Sequence, residues 1–329
     1  MTRVEPGPWR YFASRVATAA FIVVGAITLL FVLTQLVRGN PAEVLLGPRA
    51  TAEAVADFAR RMGLDLPVHE RLLRFFGQVI RGDFGNDVIS GRPILDMVLE
   101  VMPFTLALTF SAIALAFLIG VPLGCYAATH PNGVGDRIAA VLSVGLISMP
   151  SFVVSIYLLL VFSIWLQWLP VLGAGGSGDF VDQLARLVLP ASALAIGWIG
   201  YVARLTRSSM VETLAEPYIR TSRAYGLPES KIIYKYALKN ACLPTLAVLG
   251  LGTGRLFGEA VFAEVIFARP GLGTLIYNGI STRNYPVVQA GVFAIVLLYA
   301  MANLATDMTY AWVDPRIRAG FRGTAAGRH

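Results

Sequence analysis

Six apolar stretches separated by polar links run along the chain, at 11–37, 104–128, 136–168, 185–205, 244–267 and 287–313. As a helix rising 1.5 Å per residue, each is of a length to cross a hydrocarbon core of about 30 Å. The pattern predicts an all-α integral membrane protein with six transmembrane helices. Residues 1–37 would form a cytoplasmic N-terminus and first span, 38–103 an external segment, and 104–329 a core with an elbow at 212–244. Arg3 and Arg10 precede the first span and Arg15 stands at its start, the elbow is basic, and Arg316, Arg318 and Arg322 follow the last span. Under the positive-inside rule this places both termini and the elbow in the cytoplasm. The arginines of the external segment do not count against it, because long segments cross regardless of charge. The first run is too long for a signal peptide and no small-residue cleavage site follows it, so it reads as a retained span.

Breaks inside the apolar pattern mark the unusual places. Pro122 and Gly124 near the inner end of the second span suggest a bundle, where neighbouring helices satisfy the freed carbonyl. Asp136 can cap the third span, which Met149, Pro150 and Ser151 interrupt near its middle. A kink is predicted there, and it either lines a pathway or eases helix packing. Trp165 and Trp168 mark the outer interface. In the fifth span Gly250, Gly252, Gly254 and Gly258 admit close helix approach, with the last two in small-xxx-small spacing. Arg255 and Glu259 are four apart on one face, and Glu264 follows a turn later. Arg255 falls about 16 Å along the helix from Pro244, where an unpaired charge costs at least ~2.5 kcal/mol. Two readings stand: Arg255, Glu259 and Glu264, with Met149 and Pro150, line a polar translocation cavity, or the charges are a structural pair at a subunit contact.

In the external segment Thr51 can cap a short helix ending at Gly63, and Pro67 can open another with Leu72, Leu73 and Phe76 on one face. The run RGDFG at 81–85 reads as a glycine-punctuated turn, not as an adhesion tripeptide or a kinase metal loop. Gly176, Ser177, Gly178 and Asp179 match the Gly-x-Gly-Asp signature of intramembrane aspartyl proteases. That chemistry needs a second aspartate facing the first inside the spans, and none is found.

The elbow holds every lysine in the chain, Lys231, Lys235 and Lys239, together with Arg220 and Arg223. Pro217 can open a short helix and Gly226 close it in the left-handed conformation, before Pro228 opens a second. In that second helix the lysines form one stripe, while Ile232, Ile233, Tyr236 and Ala237 fall beside it. The string YIRTSRAYGLPESKIIYKYALKNACLP resembles the cytoplasmic loop of ABC-importer permeases, in the version of the peptide-importer branch. The stretches GLDLPVHERLLRFFGQVIRGDFG and EVIFARPGLGTLIYNGISTRNYPVVQAGV resemble other segments of peptide-type permeases.

The resemblance implies the permease subunit of an ATP-driven importer for dipeptide- or oligopeptide-like solutes, in the bacterial inner membrane. It implies that Thr221, Ser222, Ala224, Gly226 and Leu227, with Pro244 closing the elbow, meet the ATPase. It also places Pro270, Gly271 and Gly273 at the external gate. The pattern in importers at large has Glu six residues before the glycine where this chain has Arg220, so a Glu-based contact does not carry over. The implied partners are a second, related permease, two cytoplasmic ATPases and an external binding protein. The solute stays open, since peptides, glutathione, nickel chelates and sugar conjugates are all carried by similar permeases. The chain would be no enzyme: it has no Gly-x-x-x-x-Gly-Lys-Ser/Thr loop, and ATP and Mg would bind its partners. The rival is a proton-coupled carrier using Glu259 and Glu264.

Composition adds little. Of 329 residues, 56% are hydrophobic and 14% charged, which excludes an ordinary soluble domain. The net charge of +7 clusters beside apolar spans, where anionic headgroups and topology explain it better than nucleic acid. Cys125 and Cys242 are expected near the inner face as free thiols, and the three scattered histidines suggest no metal site.

Overall fold

The computed structural model describes residues 8–36, 51, 53, 66–87, 89–170, 172–176 and 178–313. Among them the protein is helical, apart from an isolated bridge between Asn86 and Pro93. The helices are α1 (Pro8–Leu36), α2 (Val68–Arg81), α3 (Ile94–Thr129), α4 (Val134–Ser148) and α5 (Ser151–Leu158, running on as a π-turn over Leu159–Trp165). They continue as α6 (Phe180–Leu214), α7 (Pro217–Ala224), α8 (Glu229–Ile266), α9 (Leu272–Ser281) and α10 (Tyr285–Val313). The chain divides into two compact units, residues 1–105 with 270–301 and residues 106–269 with 302–329.

In the first unit α3 and α10 pack through Ile94, Val98, Val287, Ala290 and Ala294, with Leu272 of α9 in the same cluster. The Leu272 N–H donates to Thr105 Oγ1 at 2.9 Å, which satisfies one of the orphan donors at the start of α9. Helix α3 starts at Ile94, ten residues before the apolar run, because 94–103 carries Asp96 and Glu100 in a helical pattern and Asp96 suits a helix N-terminus. On α2 the packed face is Leu72, Phe75, Phe76 and Val79, at helical spacing. Leu73, expected on that face, is 70% exposed. The helix proposed between Thr51 and Gly63 lies outside the described residues.

The second unit is built on α6, whose 35 residues contact α4, α5 and α8. Its core joins Leu108 and Ala112 of α3, Ala191, Leu194 and Ala195 of α6, and Leu256, Ala260 and Ala263 of α8. Among the described residues five helices are long and apolar enough to cross a membrane, α1, α3, α6, α8 and α10. The pair α4 and α5, bent by 103° at Met149 and Pro150, gives a sixth crossing if it is one broken span and none if it is re-entrant. Its start is held to one end of α6 by Asp136, which accepts from Arg207 Nε at 2.6 Å and Nη2 at 2.8 Å. The loop after it is held to the other end, where Arg186 donates to the Leu172 carbonyl and Gly173 N–H to the Phe267 carbonyl. Arg186 and Arg207 lie roughly 30 Å apart along α6 at 1.5 Å per residue, the thickness of a hydrocarbon core.

Three expectations change. The expected kink is a complete break, since Pro150 supplies no N–H and caps a new helix instead of continuing the old one. Asp136 is not the capping residue of α4, which is Gly133; its carboxylate takes the Asn132 N–H at 3.0 Å and the Arg207 guanidinium. No new helix opens at Pro244: α8 is continuous from Glu229, and Pro244 lies exposed inside it. Asp179 caps α6, accepting from the N–H groups of Val181 and Asp182, which gives the Gly-x-Gly-Asp run a local structural role.

Candidate functional site

The first candidate is the elbow. Helix α7 ends in a Schellman motif: the Gly226 N–H donates to the Arg223 carbonyl at 2.9 Å and the Leu227 N–H to the Ser222 carbonyl at 3.3 Å. Gly226 takes φ +73°, which a side chain would strain, and Leu227 turns inward beneath the helix. Pro217 stands at the first helical position and Pro228 caps α8, as the prolines suggest. The helix rests on an apolar bed in which Ile219 packs with Met210, Ile232, Ala237, Ala241, Cys125 and Ala128. Ile219, Ile232 and Ala237 are wholly buried. A π-turn over Ile232–Ala237 adds a residue to the ring there.

Polar bonds fix α7 to α8. Asn240 Nδ2 donates to the Tyr218 hydroxyl at 2.9 Å, and Arg223 pairs with Glu229 through two bonds of 2.7 and 3.2 Å. Glu229 raises the Arg223 guanidinium above its ordinary value; this exposed pair is worth little energy and serves to set the turn. The Thr221 and Ser222 hydroxyls donate to carbonyls of their own helix. Thr221, Ala224, Tyr225 and Gly226 face outward, Ser222 and Leu227 are half-buried, and the lysine stripe is exposed. The result is a short rigid helix with a free outer face, mounted where the two long helices α6 and α8 meet.

The second candidate is a cavity of about 700 Å³ in the same unit. One wall is a face of α8 at helical spacing, Val248, Leu251, Gly252, Arg255, Glu259 and Phe262. Another is α6 at Gly197, Trp198 and Tyr201, and the third is the break at Met149 and Pro150. Arg255 Nε donates to Glu259 Oε1 at 2.8 Å. Gly252 lets the wall close, because a Cβ there would come within 2.0 Å of the Trp198 ring.

Arg255, Glu259, Met149 and Pro150 thus come together. Glu264 does not join them: five positions beyond Glu259 it points to another side of α8 and is wholly buried. Arg269 is buried near it, and the Glu264 charge counters part of the drop that burial imposes on that guanidinium. Gly258, expected at a close helix contact, meets nothing within 4 Å. Close approaches are made by Gly250 against Thr306, by Gly252 against Trp198, by Gly200 of α6 against Ser143 of α4, and by Gly120 and Gly124 of α3 against α6. Pro270, Gly271 and Gly273 lie in the first unit at the start of α9, with Gly271 and Gly273 buried. Among the described residues no three His, Cys, Asp or Glu gather as metal ligands.

The pair Asp136 and Arg207 was missed in the sequence, where the two lie 71 positions apart. It ties α4 to α6 close to the elbow. The one available signal was a carboxylate at the edge of an apolar run, which has to find a partner.

Residues 120–319 match the family model described as "Binding-protein-dependent transport system inner membrane component". The chain is 35% identical over 336 residues to the probable D,D-dipeptide transport system permease protein DdpB of Escherichia coli, covering 95% of this chain and 98% of that one. It is 37% identical over 290 residues to the glutathione transport system permease protein GsiC of Salmonella paratyphi A, covering 88% and 92%. With the dipeptide transport system permease protein DppB of Alkalihalophilus pseudofirmus the identity is 34% over 318 residues, covering 90% and 96%. Among solved structures, a chain of the MetNI methionine ABC transporter in an inward-facing conformation superposes with a TM-score of 0.52 at 19% identity. It covers 66% of this chain and 96% of that one, and shows a shared fold.

Proposed function

Because this chain belongs to the family of binding-protein-dependent transport system inner membrane components, the permease subunits of ABC importers, we propose that it forms half of the pathway of a short-peptide importer. It works with a second, related permease, two cytoplasmic ATPases and an external binding protein. The D,D-dipeptide, glutathione and dipeptide systems named for its relatives support a solute of that size and chemistry.

The observation that carries this reading is the elbow. A lever needs a stiff contact, and α7 is stiff because Ile219 anchors it, the Schellman turn closes it and the Tyr218–Asn240 bond braces it. Its outward face, Thr221 and Ala224 with Tyr225 beyond, is then free for a cytoplasmic ATPase. The chain carries no phosphate-binding loop, so ATP and Mg bind the partners and this subunit is non-catalytic. ATP-driven closure of the ATPase pair draws the elbows together, and α6 and α8 carry that motion to the cavity at Arg255 and Glu259. Alternating access follows as a shift between two states of the bundle. The segment at Pro270, Gly271 and Gly273 then belongs to the external gate. Proton coupling through Glu259 and Glu264 is disfavoured by the family and by geometry, since only Glu259 faces the cavity.

The test is purification from mild detergent with and without an ATP analogue, followed by identification of the co-purifying chains. A second permease and ATPases with phosphate-binding loops are expected. Gly226→Val, which strains the left-handed turn, is expected to lose the ATPases and keep the second permease. A stable, transport-active complex without any ATPase would overturn the proposal.

A further inference from the structure

Arg255 is an odd residue for a helix at membrane depth. Its side chain is 77% exposed, whereas that of its partner Glu259 is 23% exposed. Only Nε is engaged, by Glu259 Oε1 at 2.8 Å. Among the described residues the two terminal nitrogens, which carry four of the five N–H donors, have no hydrogen-bond partner. Arg255 lines a cavity whose other walls are largely apolar: Ile147, Phe152, Leu194, Trp198, Val248 and Phe262. A cavity of about 700 Å³ falls within the range of small-molecule sites, about 300–1,000 Å³. Such sites combine an apolar lining with a few fixed polar groups, and here the fixed group is a guanidinium held by its inner edge with its outer edge open. That outer edge matches a carboxylate in the two-pronged geometry that lysine cannot reproduce. Ser151 and Phe152, the first residues of α5, line the same cavity and bring the positive end of a helix to it.

Resting on the reading of this cavity as part of the transport path, we propose that Arg255 receives a carboxylate of the passing solute. Glu259 is a positioning residue that aims the guanidinium. The permease therefore selects for solutes with a free carboxylate after the binding protein has released them. One charge-assisted contact suits this step, because a pathway site has to release what it binds.

The experiment uses the intact importer with its binding protein in proteoliposomes. The probe is a mixed di- and tripeptide library made both as free acids and as C-terminal amides, with the accumulated peptides counted by mass spectrometry. In the unmodified importer free acids are expected to exceed amides at least tenfold. Arg255→Gln is expected to cut that ratio at least fivefold by lowering free-acid uptake, and Arg255→Lys to give an intermediate ratio. Gly197→Trp, which fills the cavity from α6, is expected to stop uptake of both.

An unchanged acid-to-amide ratio in Arg255→Gln would overturn the proposal while leaving the pathway intact, because selection would then lie upstream. Loss of the second permease from purified Arg255→Gln would also overturn it and make the pair a subunit contact. Full uptake by Gly197→Trp, or none of either peptide form by the unmodified importer, would instead remove the underlying reading and the proposal with it.

Discussion

Asp87 shows how a single carboxylate can hold a loop. It is buried in the turn between α2 and α3, which alone would raise its pKa. Bonds from the Ser90 hydroxyl and N–H, the Ile89 N–H and the Asn284 amide outweigh burial and hold it below the usual aspartate value. A carboxyl with a depressed folded-state pKa contributes stability above its unfolded value of about 3.9, and loses it as pH falls through the lower folded value. Amide hydrogen exchange across 85–93, corrected for intrinsic rates, is therefore expected to rise below about pH 4. Asp87→Asn is expected to open the same amides at neutral pH and to flatten the pH dependence; neutral-pH protection equal to that of the unmodified chain would refute this account of the turn. The contrast with Arg255 and Glu259 shows what sequence can disclose about residues. A pair four apart on a helix declares its shared face, so their meeting was legible. Asp87 with Asn284 and Asp136 with Arg207 join distant positions, and only the packing of helices decides those partners.

Among the elements, glycines decide how closely helices approach, and the glycine-rich stretch of α8 is the sequence's plainest signal of that kind. A close approach to backbone also lies outside that stretch. A Cβ on Gly124 of α3 would stand 2.4 Å from the Ala203 carbonyl oxygen of α6, and one on Gly120 would stand 2.7 Å from the Val202 side chain. Backbone cannot rotate away as a side chain can, so Gly124→Ala has to separate α3 from α6. The expected cost is about 1–3 kcal/mol, read as a lower unfolding midpoint in detergent. Gly145 of α4 meets nothing within 4 Å, and Gly145→Ala is expected to leave stability unchanged or raise it by about 0.5–1 kcal/mol. Equal midpoints for the two variants would mean that close approach of α3 and α6 is not what Gly124 provides. The elbow was the most legible element, because Pro217, Gly226 and Pro228 each act through local backbone geometry. The π-turn over Ile232–Ala237 and the continuity of α8 through Pro244 were not, since both depend on what packs around them.

At the scale of the whole molecule, the count of crossings depends on the bent pair α4 and α5. If that pair dipped into the bilayer and returned, the chain on its two sides would share one face of the membrane. The bonds of the second unit argue otherwise, with Asp136 and Arg207 at one end of α6 and Arg186, Leu172, Gly173 and Phe267 at the other. His130 and Pro131 also line one cavity with Arg223 and Glu229, so the link between α3 and α4 shares the elbow's end of the unit. The positive-inside rule predicts the cytoplasm for that end, through Arg220, Arg223 and the three lysines. Single cysteines at Pro131, Gly176 and Ser230, in a chain with Cys125 and Cys242 replaced by alanine, test this with a membrane-impermeant maleimide on intact spheroplasts. Gly176→Cys is expected to react from outside, and Pro131→Cys and Ser230→Cys only after permeabilisation. Matching behaviour of Pro131→Cys and Gly176→Cys, with Ser230→Cys opposite, would make the bent pair re-entrant. It would also put the elbow on the opposite face from the link that the structure places beside it.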